Sequence, residues 1–301
     1  MSVVTASRYN AIQTKVANVL GTGSGDKGYG QSVTSAQVSA GDEVTATHIA
    51  NLRVDINKCI LHQTASATTA IVAPSTGDTI VEDNSTTKKG WAQYEATATT
   101  AETNRLTAAA GNMTTTSKIT EQRTSSWGSS PDTINTTFTV TFTSADIKRN
   151  YFNAGGEIHL ALSLSSGSGS KGTSWSDLFT GAGTIKFRRT DTTCTGSGTT
   201  TSIGNVDMTG SHQTIFSKAV GGGGVYAEND FNVTAKDNSS TVLEFIVTLN
   251  DDDSGDQTGT GGPVDEDVGG TTTLTVSSFR PTNASAVTFA DPSFSTTDNF
   301  N

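Results

Sequence analysis

Residues 133–144 read TINTTFTVTFTS. Ile134, Phe138, Val140 and Phe142 alternate with threonine, so an extended chain here has one apolar face and one hydroxyl-bearing face. Successive side chains leave a pleated backbone on opposite sides, and a period of two therefore marks a half-buried strand. β-Branched threonine suits such a surface. The period recurs downstream. After a short helical turn and a Gly155–Gly156 reversal, Ile158, Leu160, Leu162 and Leu164 share a face, and Ile185 and Phe187 share another. Residues 213–220, 225–237, 241–251 and 271–279 read as further strands, separated by clusters of Gly, Asn and Asp. Short strands punctuated this way, with no long helix between them, predict an antiparallel β-sandwich or jelly-roll over residues 133–301. A doubly wound nucleotide-binding fold is disfavoured.

Upstream the period changes. Tyr9, Ile12, Val16 and Val19 are spaced 3-4-3, the apolar seam of a helix. Thr5 can cap its start, and Gly21 stands where a C′ glycine ends a helix. Ile49, Leu52, Ile56 and Cys59 repeat the spacing, with Thr45 or Thr47 as cap. Helices this short do not persist alone. Their seams must bury against each other, as a hairpin, or against other copies of the chain. Residues 1–64 are therefore expected to form a helical anchoring and assembly segment. Residues 65–132 read as a mixed connector, loop-like at first, with some helix preference in WAQYEATATTAETNRLTAAAGN (91–112), then polar to a boundary near Pro131. The overall expectation is a mainly β chain with an α-helical N-terminal segment.

Between the two seams lies VANVLGTGSGDKGYGQSV, residues 16–33. Gly23 to Gly28 match G-x-G-x-x-G, but that motif cradles a pyrophosphate only between a strand and a helix N-terminus. Here a helix precedes it. Lys27 lacks the neighbours of a phosphate-binding Walker loop, and Asp26 would repel phosphate. The better reading makes Gly21, Gly23, Gly25, Gly28 and Gly30 a hinge between two helices, since glycine reaches positive φ without penalty.

Composition narrows the function. Thr, Ser and Gly make up roughly two-fifths of the residues, well above ordinary usage. Hydrophobic residues are 33% and the net charge is −10, which argues for a thin core spread over many short elements and against a nucleic-acid partner. The basic doublets in TTKKGW and KFRRT read as solvated surface. Cys59 and Cys194 are spaced like neither a zinc site nor a redox motif and read as two free thiols. No apolar run reaches spanning length and no signal peptide is visible, so a soluble protein made in a cytoplasm, without membrane insertion, is expected. The acidic stretches NDDDSGD (250–256) and PVDEDVGG (263–270) read as turns; the first lacks the glutamate that a twelve-residue calcium loop needs. His48, His62, His159 and His212 show no ligand spacing, and His159 should point outward. No residue is assigned a catalytic, cofactor-binding or metal-binding role, and no enzyme activity or cofactor is expected.

Two stretches carry a resemblance. Residues 9–59, YNAIQTKVANVLGTGSGDKGYGQSVTSAQVSAGDEVTATHIANLRVDINKC, resemble the head segment of structural proteins of tailed bacteriophages, notably of the T4-like cyanophage type. Residues 145–165, ADIKRNYFNAGGEIHLALSLS, resemble a second signature of these proteins, a strand–turn–strand in which FNAGGEI makes the reversal. The resemblance implies a virion structural protein, a neck or tail appendage or fibre, assembled in the host cytoplasm among other virion proteins, with no catalysis and no cofactor. Tyr9, Ile12, Val16, Val19, Ile49, Leu52 and Ile56 would then be the seam through which copies associate, as a trimer or ring. Three alternatives stand beside this reading. One is a receptor- or carbohydrate-binding module that stacks sugars of a host surface glycan on Trp127, Trp175 and Tyr226, residues that otherwise pack a core. Another is a capsid decoration protein. The last is a polysaccharide hydrolase, which would need a carboxylate pair at roughly 5–10 Å.

Overall fold

The computed structural model describes residues 4–129, 132–222, 224–252, 267–298 and 300. The chain forms two compact units, and neither is continuous in sequence. The first gathers residues 1–114, 146–156 and 280–290; the second gathers 115–145, 157–279 and 291–301. These bounds differ from the sequence-based division at 64 and 132. Most of the supposed connector belongs to the first unit, and two short insertions from the β region join it there. Pro131 lies outside the described residues.

In the first unit, α1 (Ala6–Leu20), α2 (Ala46–Thr64) and α3 (Trp91–Thr103) pack pairwise. Thr5 caps α1 by accepting from the Arg8 amide, and Thr45 caps α2 in a reciprocal box with His48. Each cap satisfies amides that a helix start leaves without intrahelical partners. Both seams are filled within one chain: Tyr9, Ile12, Val16, Val19, Ile49, Leu52 and Ile56 are 0–2% exposed. Such burial leaves them no free face for a second copy. α3 supplies much of the cover, stacking Trp91 on Tyr94 with centroids 5.9 Å apart and on Tyr9 at 6.4 Å. The rest of its buried stripe is Thr97, Ala98 and Ala101, small side chains that give little periodic signal in sequence.

The second unit holds two antiparallel sheets. Its strands are β1 (Met113–Arg123), β2 (Asp132–Thr141), β3 (Glu157–Ser165), β4 (Ile185–Phe187), β5 (Thr192–Cys194), β6 (Thr199–Thr200), β7 (Gln213–Ala219), β8 (Asp230–Ser239), β9 (Val242–Asp251), β10 (Thr271–Pro281) and β11 (Ser293–Asp298). They order as β1-β10-β3-β4-β5 and β11-β2-β9-β8-β7-β6. Thr–apolar alternation puts Ile134, Phe138 and Val140 inside, as the period of two predicts. Phe138 stacks on Phe245 of the neighbouring β9 at 5.0 Å, and Phe187 of the other sheet meets Phe245 edge-on at 5.3 Å. That contact makes the unit a sandwich, since the two inner faces interdigitate.

Three local expectations change. The polar stretch 113–123 is a strand, not a connector; it lies at the edge of its sheet and buries only Ile119, so its pattern reads as solvent-facing throughout. Residues 145–153 form α4 (Ala145–Asn153), so the second signature is helix–turn–strand rather than strand–turn–strand. A further helix, α5 (Gly169–Ala182), packs on β3 through Trp175, Leu178, Phe179 and Ala182. Its glycines and serines mask the 3-1-3 spacing of that stripe.

Candidate functional site

The glycine stretch and α4 build one site within the first unit. After α1 the chain doubles back on it. The amides of Tyr29, Gly30 and Gln31 donate to the carbonyls of Val19, Gly21 and Leu20 at 2.8–2.9 Å. These bonds serve carbonyls that the last turn of a helix leaves without partners. Gly21 is the C-cap with φ −74°, so it is not the left-handed C′ glycine expected. Its lack of a side chain matters for another reason: a Cβ would sit 2.7 Å from the Ala17 carbonyl oxygen. Gly23, Gly25, Gly28 and Gly30 all have positive φ. At Gly28, φ is +102° and a Cβ would lie 1.9 Å from the Thr22 oxygen, so no side chain fits. The stretch is a tight hydrogen-bonded bracket.

α4 fills that bracket. The Arg149 guanidinium donates to the Lys27 carbonyl at 2.7 Å and the Thr22 carbonyl at 2.9 Å, and pairs with Asp146 at 2.8 Å. Asn153 Nδ2 donates to the carbonyls of Gly25 and Lys27, each at 3.1 Å. The Asn150 amide presses on the open faces of Gly28 and Gly30, where a Cβ would stand 2.9 and 2.8 Å from it. The loop thus turns carbonyl oxygens, not amides, toward its occupant. A phosphate cradle needs the opposite polarity. Lys27 and Asp26 are engaged elsewhere in the unit: Lys27 Nζ lies 2.9 Å from Glu102, which holds that carboxyl below the usual range, and Asp26 pairs with Arg105.

Polar side chains also tie down the segment after the bracket. Asn10 exchanges two hydrogen bonds with the Val38 backbone at 2.9 and 2.8 Å, imitating a strand partner. Asp55, fully buried, accepts from the amides of Thr34 and Ser35, the latter at 2.7 Å. Gln31 pairs in the same way with the backbone of Thr288, which anchors the 280–290 segment. Asn112 reaches that segment as well, accepting from Asn283 Nδ2 at 2.8 Å while its own amide donates to Leu61 and His62.

The four histidines sit apart in structural positions. His48 belongs to the α2 cap. His212 lies 3.1 Å from Glu244. His159 is largely covered rather than pointing freely outward; it stacks on Phe279 at 5.1 Å and bonds Glu157 at 2.7 Å. His62 is 0% exposed, beside Tyr29 at 4.8 Å. Neither of its ring nitrogens makes a well-formed hydrogen bond. Burial pushes its pKa down to about 4, against a smaller opposing pull from the Ala154 backbone. Trp127, Trp175 and Tyr226 are 4%, 0% and 7% exposed, which removes the open aromatic platform a sugar would stack on. Both cysteines are free thiols, and burial raises that of Cys59. Of the two acidic stretches, residues 253–256 and 263–266 lie outside the described residues. Among the described residues no group of three or more His, Cys, Asp and Glu could hold a metal ion, and no helix is long and apolar enough to cross a membrane.

An open cleft of about 820 Å³ lies where α1 and α2 begin, between Thr5, Thr45 and the loops at 41–44 and 74–80. Two helix N-termini favour anions there, but Asp42, Glu43 and Asp78 line the same space. The hydrogen bond from Lys89 lowers the Asp78 carboxyl from its usual range. The opposed charges give the cleft no clear preference of sign. Compared with family models, with curated proteins and with solved structures, the chain finds no match.

Proposed function

We propose that this chain is a structural protein of a tailed-phage particle, a neck or tail appendage that acts without catalysis. One observation carries the reading. The two stretches that resemble phage structural proteins, 9–59 and 145–165, are far apart in sequence, yet Arg149, Asn150 and Asn153 of the second fill the glycine bracket of the first. A resemblance by composition alone would not select two pieces that complete each other. The first unit, with its interlocked loops, is the module that seats among other virion proteins. The β-sandwich, rich in threonine, is the exposed module. Copies associate through surfaces other than the helical seams, which are already filled.

The test is particle association. Particles purified from an infected host that encodes the chain should contain it at a fixed ratio to the tail proteins, measured by mass spectrometry, and antibody against it should decorate the neck or tail. A chain abundant in the lysate but absent from purified particles overturns the proposal. Light scattering of the full chain should give the mass of a closed oligomer; a monomer at every concentration would restrict assembly to the particle itself.

A further inference from the structure

In the β unit, Lys171 and Asp251 face each other with Nζ 2.6 Å from Oδ2 and both side chains 0% exposed. Lys171 lies near the start of α5, which follows β3 of the five-stranded sheet, and Asp251 ends β9 of the six-stranded sheet. Gly128 holds the pair in register. Its carbonyl accepts from Lys171 Nζ at 2.6 Å, and a Cβ on it would lie 2.6 Å from Asp251 Oδ2. Apolar surface closes the site: Trp175, one turn along α5, meets Trp127 edge-on at 4.8 Å, and both indoles are buried.

Two full charges at this depth cost several kcal/mol each to desolvate. Passing one proton from the ammonium to the carboxylate removes both charges and leaves an amine against a carboxylic acid. These are the reactants of an amide bond, and they are held in contact by fixed elements. Groups fixed in this way react as if at effective concentrations of about 10⁵–10⁸ M.

We propose that Lys171 and Asp251 condense into an intramolecular isopeptide bond. The Nζ lone pair attacks Cγ of the protonated carboxyl, the C–OH bond breaks, and the hydroxyl leaves as water with a proton shed by the nitrogen. No oxidant, reductant or cofactor enters the balance. In the product the amide N–H still donates to the Gly128 carbonyl, and the buried charges are gone. The bond closes the chain between residues 171 and 251 and staples α5, which packs on β3, to the end of β9. This proposal is independent of the virion reading.

The test is the mass of the denatured full-length chain. It should be lighter by one water than the mass calculated from the Lys171→Met variant corrected for the substitution. Proteolysis should yield one branched peptide containing both Lys171 and Asp251. An unmodified mass, with the two peptides recovered separately and unbranched, overturns the proposal. If Lys171→Met does not fold, the peptide map of the unaltered chain decides by itself.

Discussion

The helical unit and the β unit are each stabilised internally by different physics. In the β unit the contacts follow from local pattern: apolar residues at every second position, paired by backbone ladders, with Phe138, Phe187 and Phe245 joining the sheets. In the helical unit the seams are only part of the answer. Its loops are fixed by side chains that stand in for strands and caps, with Asn10 on Val38, Asp55 on Ser35, Gln31 on Thr288 and Arg149 on the glycine bracket. The comparison shows two ways for a chain with few hydrophobic residues to become specific. One repeats a pattern many times; the other makes single polar contacts between distant segments, each of which matters.

The first way to break the comparison is to hollow out the sandwich. Phe245→Ala should cost about 4 kcal/mol, because it removes a stacked partner and an inter-sheet contact and leaves a cavity. Hydrogen exchange followed by mass spectrometry should show faster exchange across β2, β8 and β9, with α1 unchanged. Equal acceleration in α1 would mean that the two units unfold together.

The glycine bracket sharpens the contrast from the other side. Gly28→Ala should cost about 3 kcal/mol, since the new methyl collides with backbone at a positive φ. Gly25, in the same bracket, has φ +58° and no atom within 4 Å of a built Cβ. Gly25→Ala should therefore cost only about 1 kcal/mol of backbone strain. Urea unfolding of the two variants measures the difference. Equal effects would show that the bracket yields, against the tight contacts described here.

A smaller effect, spread over pH, tests His62. Its pKa is lowered from 6.5 to about 4 in the folded chain, so the unfolded chain takes up the proton first. The stabilisation is fully present above about pH 6.5 and is lost as pH falls toward 4, by about 3 kcal/mol at most, at about 1.4 kcal/mol per pH unit. Thermal melts from pH 7 to pH 4 should reveal this slope, and His62→Leu should flatten it. The replacement removes the titrating ring, which makes no well-formed hydrogen bond and has only a weak interaction with the Ala154 backbone. An unchanged slope in the variant would assign the pH dependence to other groups.

Much of the architecture is legible in the sequence. The period of two at Ile134–Phe142 marked the sandwich, and the 3-4-3 spacings at Tyr9–Val19 and Ile49–Cys59 marked α1 and α2, because helices and strands sort side chains by direction alone. Thr5 announced the first cap by its chemistry. What stayed hidden were elements whose buried faces are small or masked: α3 with its Thr–Ala stripe, β1 with one buried residue, and α5 among glycines. Sequence alone therefore determined the kinds of element and most of their faces. The tertiary structure alone decided that the helical seams close within one chain, that residues 146–156 and 280–290 join the helical unit, that the glycine stretch presents carbonyls to α4, and that Lys171 meets Asp251. The physical reason is distance along the chain. Periodicity is a property of neighbours, whereas a hydrogen bond or an ion pair between residues a hundred positions apart leaves no mark in either stretch read alone.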